Sequence, residues 1–179
     1  MKATGIVRRI DELGRIVVPK EIRRTLRIRE GDPMEIFTDT EGKVILKKYS
    51  PIEDILEHAK QAAEVVARIT GMGVIITDRD QVIAVSGSAK RDDIGRNISS
   101  TLEEFMKERR NVNSTKGDRK IEIVAGEEAV EGEQVICHIL SDSDVIGSII
   151  IVSKDKTITE VESKLALMVS MFLGRQLEA

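Results

Sequence analysis

Lys20, Arg23, Arg24 and Arg27 recur at i, i+3, i+4 and i+7, the spacing that lines four cations along one face of a helix. At roughly 100° per residue they fall within an arc of about 100°, while Ile22 and Leu26 point nearly the opposite way. One side is then a core face, and the other is either solvated or a receptor for an anion. A solvated helix usually mixes signs four residues apart, and here Glu21, three before Arg24, is the acid in reach. Arg8 and Arg9 stand in a preceding apolar run, and Arg15 follows a tight turn. Arginine outnumbers lysine seven to two over residues 1–29, and a guanidinium, unlike an ammonium, can grip phosphate oxygens or a guanine edge with two parallel N–H bonds. The chemistry open to these residues is recognition of a polyanion. Aromatic residues are few, Phe37, Tyr49, Phe105 and Phe172 with no tryptophan, so the stacking platforms that hold single strands are missing and a duplex is the better fit.

Charge divides the chain as well as the spacing does. Residues 1–29 carry nine Lys/Arg against three Asp/Glu, a net of +6, whereas the whole chain is −3, so the remainder sums to −9. A basic head on an acidic body favours two domains over one. Catalytic constellations are missing: no phosphate-binding glycine loop, no His-Glu-x-x-His, no Cys-x-x-Cys. His58 and His138 are 80 positions apart, and Cys137 and His138, adjacent on a strand, point to opposite faces. They read as a core cysteine and a structural or surface histidine, and Glu103-Glu104 and Glu127-Glu128 as solvated surface. No enzymatic activity, cofactor or metal is expected. A single cysteine excludes an intrachain disulfide framework. No run of 18 apolar residues could span a bilayer and no leader pattern opens the chain, so a cytoplasmic protein without a membrane partner is expected.

The elements that must hold the cations follow from local pattern. Residues 5–10 and 15–18 predict strands around a turn at 11–14, and Pro19 stands where a helix can begin. That helix runs to about Leu26, before Gly31-Asp32-Pro33 forbids continuation. Residues 34–39 and 43–49 predict two more strands around Thr40-Glu41-Gly42. Strand parity leaves open whether Arg8 or Arg9 is exposed, because Ile6 and Ile10 share the face of Arg8. A ββαββ unit of about 50 residues with so few bulky side chains buries too little to stand alone, so pairing with a second copy is expected. Ser50-Pro51 marks the junction, giving domains 1–50 and 51–179.

Beyond it, helices are expected over about 52–70 and 159–177. Their stripes, Ile52, Ile55, Ala59, Ala62, Val66 and Ile69, then Ile158, Val161, Leu165, Met168 and Phe172, have coiled-coil-like spacing and suggest a seam that pairs bodies into a tetramer. Thr159 and Glu162 have capping-box spacing. Between the helices, 73–77, 81–86, 119–125, 134–140 and 145–153 are strand candidates and 102–109 an inserted helix. The body is therefore α+β, with a mainly antiparallel sheet covered by helices on one face. No internal repeat is expected.

Residues 4–26, Thr-Gly-Ile-Val-Arg-Arg-Ile-Asp-Glu-Leu-Gly-Arg-Ile-Val-Val-Pro-Lys-Glu-Ile-Arg-Arg-Thr-Leu, and the closing Ile45-Leu46-Lys47-Lys48-Tyr49 strongly resemble the AbrB-type transition-state regulator domain. The resemblance implies a swapped-hairpin β-barrel dimer that binds duplex DNA through Arg8, Arg15, Arg23 and Arg24; charge geometry adds Arg9, Lys20 and Arg27. By element order, residues 56–179 are similar to a GAF domain, a small-molecule-sensing α+β fold, although no motif names an effector. The two together resemble transcriptional regulators of sporulation, acting as activators or repressors. Two rivals stay in view: an antitoxin-like interaction module, whose body would be a disordered binding tail, and a sensing or catalytic body with an accessory head. If pairing holds the head together, a fragment of residues 1–55 melts at a temperature that rises with protein concentration; a folded monomer whose melting is independent of concentration contradicts it.

Overall fold

Glycine and β-branched residues divide the work in the first 49 positions, glycine making turns and valine and isoleucine making extended segments. The computed structural model describes residues 4–114, 120–129 and 132–178, and the chain divides into two units, Met1–Tyr49 and Ser50–Ala179. In the first, α1 (Lys20–Thr25) precedes an antiparallel hairpin of β1 (Met34–Thr38) and β2 (Val44–Lys48). Residues 5–10 and 15–18, expected as strands, are joined by the predicted turn but form no ladder among the described residues. Their side chains also lack a core: Val7 is 85% exposed and Val17 73%. The closed barrel is therefore not present in one copy, which holds a two-stranded sheet.

The second unit is built on valine- and isoleucine-rich strands whose both faces are covered. A 3₁₀ turn (Pro51–Ile55) leads into α2 (Leu56–Thr70), which stops at Gly71 in a left-handed conformation (φ 65°) with its N–H on the Ala67 carbonyl. There follow β3 (Gly73–Asp78), β4 (Val82–Ser86), α3 (Ser100–Glu108), β5 (Val112–Ser114), β6 (Glu133–Ser141), β7 (Asp144–Ser153) and α4 (Glu160–Gln176). The sheet runs β4-β3-β7-β6-β5, antiparallel throughout. One face packs Ile76, Cys137, Ile149 and Ile151 against Ala63 and Val66 of α2 and Val169 and Leu173 of α4. On the other face Ile75, Ile136 and Ile150 pack beneath Leu102 and Met106 of α3. Helices were expected on one face; with α3 on the other, β3 and β7 are apolar nearly throughout rather than alternating.

Three details correct or refine the sequence-based expectations. The strand expected over 119–125 is absent: residue 119 lies outside the described residues, and 121–125 make a single bridge, Ile98 to Val124. A side chain takes the strand's role there, since Gln134 accepts the Ile121 N–H at 2.7 Å and donates its amide to the Ile121 carbonyl at 3.1 Å. Second, β5 had no sequence signal. Third, the two helical stripes have different fates. Ile52, Ile55, Ala59 and Val66 are buried in their own unit and Ile69 is exposed, whereas in the second stripe Ile158 is buried and Val161, Met168 and Phe172 remain exposed. The Thr159–Glu162 capping box closes as predicted.

Cys137 and His138 do point to opposite faces. Burial pushes the Cys137 thiol up to about 11. His138 Nε2 lies 3.1 and 3.0 Å from the carbonyls of Phe105 and Arg110, and Nδ1 2.8 Å from the Ser148 hydroxyl. Carbonyls only accept, so the proton sits on Nε2 and the serine donates to Nδ1. The ring thus pins the end of α3 to the sheet. Among the described residues no helix is long and apolar enough to cross a membrane. A Cβ at Gly174 would lie 2.0 Å from the Leu140 carbonyl oxygen, where α4 crosses β6. Gly174→Ala is expected to destabilise the second unit by about 1–3 kcal/mol in urea unfolding; parental stability would mean that α4 can lift from the sheet at no cost.

Candidate nucleic-acid interface

The turn that carries Arg15 is organised by one carboxylate. Asp11 Oδ1 accepts the N–H groups of Leu13 (3.0 Å) and Arg15 (2.8 Å), its own N–H reaches the Arg15 carbonyl at 3.0 Å, and Gly14 adopts φ 75°. The Arg15 Nε closes back on Asp11 Oδ2 at 2.8 Å, an exposed pair of little net strength. The backbone N–H of Arg15, and then its side chain, hold the Asp11 carboxyl below the usual range. The same device recurs at Asp39-Thr40-Glu41-Gly42-Lys43, where Asp39 Oδ1 accepts from Glu41 (3.0 Å) and Lys43 (2.8 Å), Gly42 adopts φ 79°, and the Lys43 ammonium lies 3.3 Å from Asp39. This is a short internal repeat of the type Asp-x-x-Gly-cation. Scattered identities hid it: only the aspartate and glycine are shared.

Helix α1 presents Lys20, Arg23 and Arg24 to solvent. Pro19 is the residue before the first helical position, and its carbonyl accepts the Arg23 N–H at 3.0 Å. The helix ends sooner than four aligned cations require. Thr25 bonds its hydroxyl back to the Glu21 carbonyl, and the chain then reverses: the Ile28 N–H bonds the Arg23 carbonyl at 2.7 Å and the Arg27 N–H that of Arg24 at 3.3 Å, with Arg27 at φ 54°. That is a Schellman stop with arginine where glycine is usual. Arg27, expected on the basic face, is therefore half-buried at the helix end and not aligned with the other three, because six residues do not reach i+7. Leu26, expected in a core, is 57% exposed in one copy.

Behind these cations, Asp32 anchors the hairpin to the helix end. Its carboxylate accepts the Arg29 N–H at 2.7 Å and meets the Lys48 ammonium at 3.0 Å, and that ammonium also donates to the Arg27 carbonyl at 3.3 Å. Burial alone would raise the Asp32 carboxyl, but the Arg29 N–H and Lys48 hold it below the ordinary value. Arg8 and Arg9 are exposed on the first arm. The structure thus brings Lys20, Arg23 and Arg24 onto one helix, fixes Arg15 on its turn, leaves Arg8 and Arg9 on an unpaired segment, and turns Arg27 aside.

The second unit holds a cavity of 860 Å³, floored by Ile75 and Val152 and edged by Lys90, Lys156 and Glu127. Glu127 is bonded by Lys90 at 3.0 Å and by Arg96, which also meets Asp93 at 2.9 Å. Arg96, then Lys90, keeps the Glu127 carboxyl low. Glu127 is thus tied into an ion-pair network rather than lying on solvated surface; the residues that engage it lie 31 and 37 positions away, beyond any local pattern. Among the described residues no group of three or more His, Cys, Asp and Glu could hold a metal ion.

A family model described as stage V sporulation protein T C-terminal, transcription factor, matches residues 54–178. A second, described as antidote-toxin recognition MazE, bacterial antitoxin, matches residues 7–54. The chain is 49% identical to stage V sporulation protein T of Bacillus subtilis (strain 168) over 178 residues, 99% of each chain. It is 65% identical over 51 residues, 28% of this chain and 52% of the relative, to the transition state regulatory protein AbrB of the same organism. The GAF domain from Acinetobacter phosphoenolpyruvate-protein phosphotransferase matches 72% of this chain and 90% of its own with a TM-score of 0.53 at 11% identity, a likeness of fold alone. The chain belongs to the stage V sporulation protein T family of transcription factors.

Proposed function

We propose that the chain regulates sporulation genes by binding duplex DNA as a paired N-terminal domain, residues 1–50, through Arg8, Arg15, Arg23 and Arg24, with Arg9 and Lys20 at the margin and Arg27 setting the helix end. The observation that carries this reading is the coincidence, in one small unit, of exposed cations with exposed aliphatic residues that need a partner: Val7, Ile10, Val17 and Leu26 stand in solvent beside Arg8, Arg9, Arg15 and Arg24. A second copy that pairs with the two unladdered arms buries the first set and doubles the second, making a swapped-hairpin barrel with a broad positive surface. Phosphate contacts then supply most of the affinity, and deformable or narrow-grooved sequences are favoured.

In residues 51–179, the open stripe of α4, with Val161, Met168 and Phe172, supports pairing of bodies and hence a tetramer of two paired heads. A small-molecule effector fits the 860 Å³ cavity, at the end of β3 and β7 opposite the linker. At the linker end the Ser50 hydroxyl bonds Asp78 at 3.2 Å and Ile52 is fully buried, so the first turn after the head rides on the same strand pair. The match of residues 7–54 to an antitoxin model favours a second reading, a head that mainly holds a partner protein. Against it stands the body, which buries both faces of a five-stranded sheet rather than trailing as a tail.

Arg23→Ala and Arg24→Ala are each expected to weaken duplex binding on the order of tenfold, with melting unchanged; parental affinity of both at moderate salt would remove the proposed site. Asp11 separates positioning from charge. Asp11→Asn keeps an oxygen for the two turn N–H groups and is expected to bind duplex at least as tightly as the parent, whereas Asp11→Ala, which loses the turn, binds more weakly. If both variants tighten binding, charge removal alone explains them and the turn does not position Arg15.

A further inference from the structure

The sheet of the second unit ends at β4, and its outer edge is only half covered. Val82 donates its N–H to the Arg96 carbonyl at 2.9 Å and accepts the Gly95 N–H at 2.8 Å, so residues 95–96 close the start of the strand. Its inner side pairs with β3, and among the described residues no strand lies on the outer side of Ile83–Ser86. Between that edge and α2 runs a groove of 570 Å³ with Ala67, Ile83 and Ala84 in its floor. Its α2 wall is the row Lys60, Glu64 and Arg68, spaced four apart, and Arg91 stands across from a 3₁₀ turn. Lys60 is paired with Glu57 at 2.8 Å. Arg68 and Arg91 are exposed and have no ion-pair partner among the described residues.

A concentration of three cations against one carboxylate is out of character for this unit, since residues 50–179 carry 16 Lys/Arg and 23 Asp/Glu, a net of −7. We infer that the β4 edge and its basic groove are a docking site for an extended, acidic segment of another protein, added as a further strand and held by Arg68 and Arg91. Edge backbone supplies alternating N–H and C=O groups that a peptide can match and a phosphate backbone cannot. An apolar floor takes every second side chain, and guanidinium groups pair bidentately with carboxylates. A second copy of the chain is disfavoured, because symmetric β4–β4 pairing would set these arginines against their own kind. This surface is separate from the cations proposed for DNA and stands whether or not that proposal holds.

The test uses full-length protein and a fluorescein-labelled peptide, Glu-Thr-Glu-Val-Glu-Thr-Glu-Val, titrated by anisotropy with saturating duplex DNA present to occupy the basic head. Expected results are saturable binding, at least tenfold weakening when alternate residues are proline, a similar loss in Arg68→Glu/Arg91→Glu, and slowed hydrogen exchange at residues 83–86. The proline comparison is made on the parental protein and so decides the matter even if the double variant does not fold. Equal binding of the proline peptide, protection confined to residues 4–29, or no binding would each overturn the inference.

Discussion

The constraint on which the first unit depends is that it cannot bury its own aliphatic residues. Val7, Ile10, Ile16, Val17 and Leu26 are all exposed in a single copy, and the arms that carry four of them have no ladder. Fully burying a valine or leucine side chain contributes about 1.5–3 kcal/mol, so leaving five in water is a large loss for a unit of this size. The proposed pairing answers both deficits at once, since it would supply strand partners for the arms and a core for their side chains. It would also place the cations. Arg8 and Arg9 lie on these arms and Arg15 at their turn, and what fixes the arms fixes the charges.

Local geometry contributes the rest of the positioning with few residues. One aspartate organises each hairpin turn by accepting two backbone N–H groups, and a cation closes over it. A six-residue helix suffices to present Lys20, Arg23 and Arg24, and its abrupt end at Arg27 is tied to the β1–β2 hairpin through Lys48 and Asp32. The second unit is of the opposite kind. Its sheet has apolar packing on both faces and closes its own core.

The sequence was most legible where a signal is local. Capping at Thr159, the stop at Gly71 and the turns at 11–14 and 40–42 follow from a few adjacent residues, and they stand where the pattern put them. The basic helix was legible in charge and in its end near Leu26, but not in the reversal that turns Arg27 aside, because the Thr25 back-bond and the Arg27 geometry are conformations rather than compositions. Residues 121–125 read as a strand because they are isoleucine-rich, yet their backbone pairs with the Gln134 side chain, a contact of separation 13 that no periodicity records. The stripe of α2 showed that residues are apolar at helical spacing; which surface they meet, own sheet or neighbouring chain, is a tertiary fact. The same holds for the β4 groove, whose cations come from positions 60, 68 and 91.

The most direct measurement is the salt dependence of duplex binding by the full-length protein, taken with its molecular mass in the same buffers. Guanidinium groups gathered by pairing predict a dimer or larger species whose affinity falls with log salt at a slope of roughly −5 or steeper, the release expected from six or more neutralised phosphates. A slope near zero, or undiminished binding by a monomer, would contradict the claim that paired arms build the DNA-binding surface.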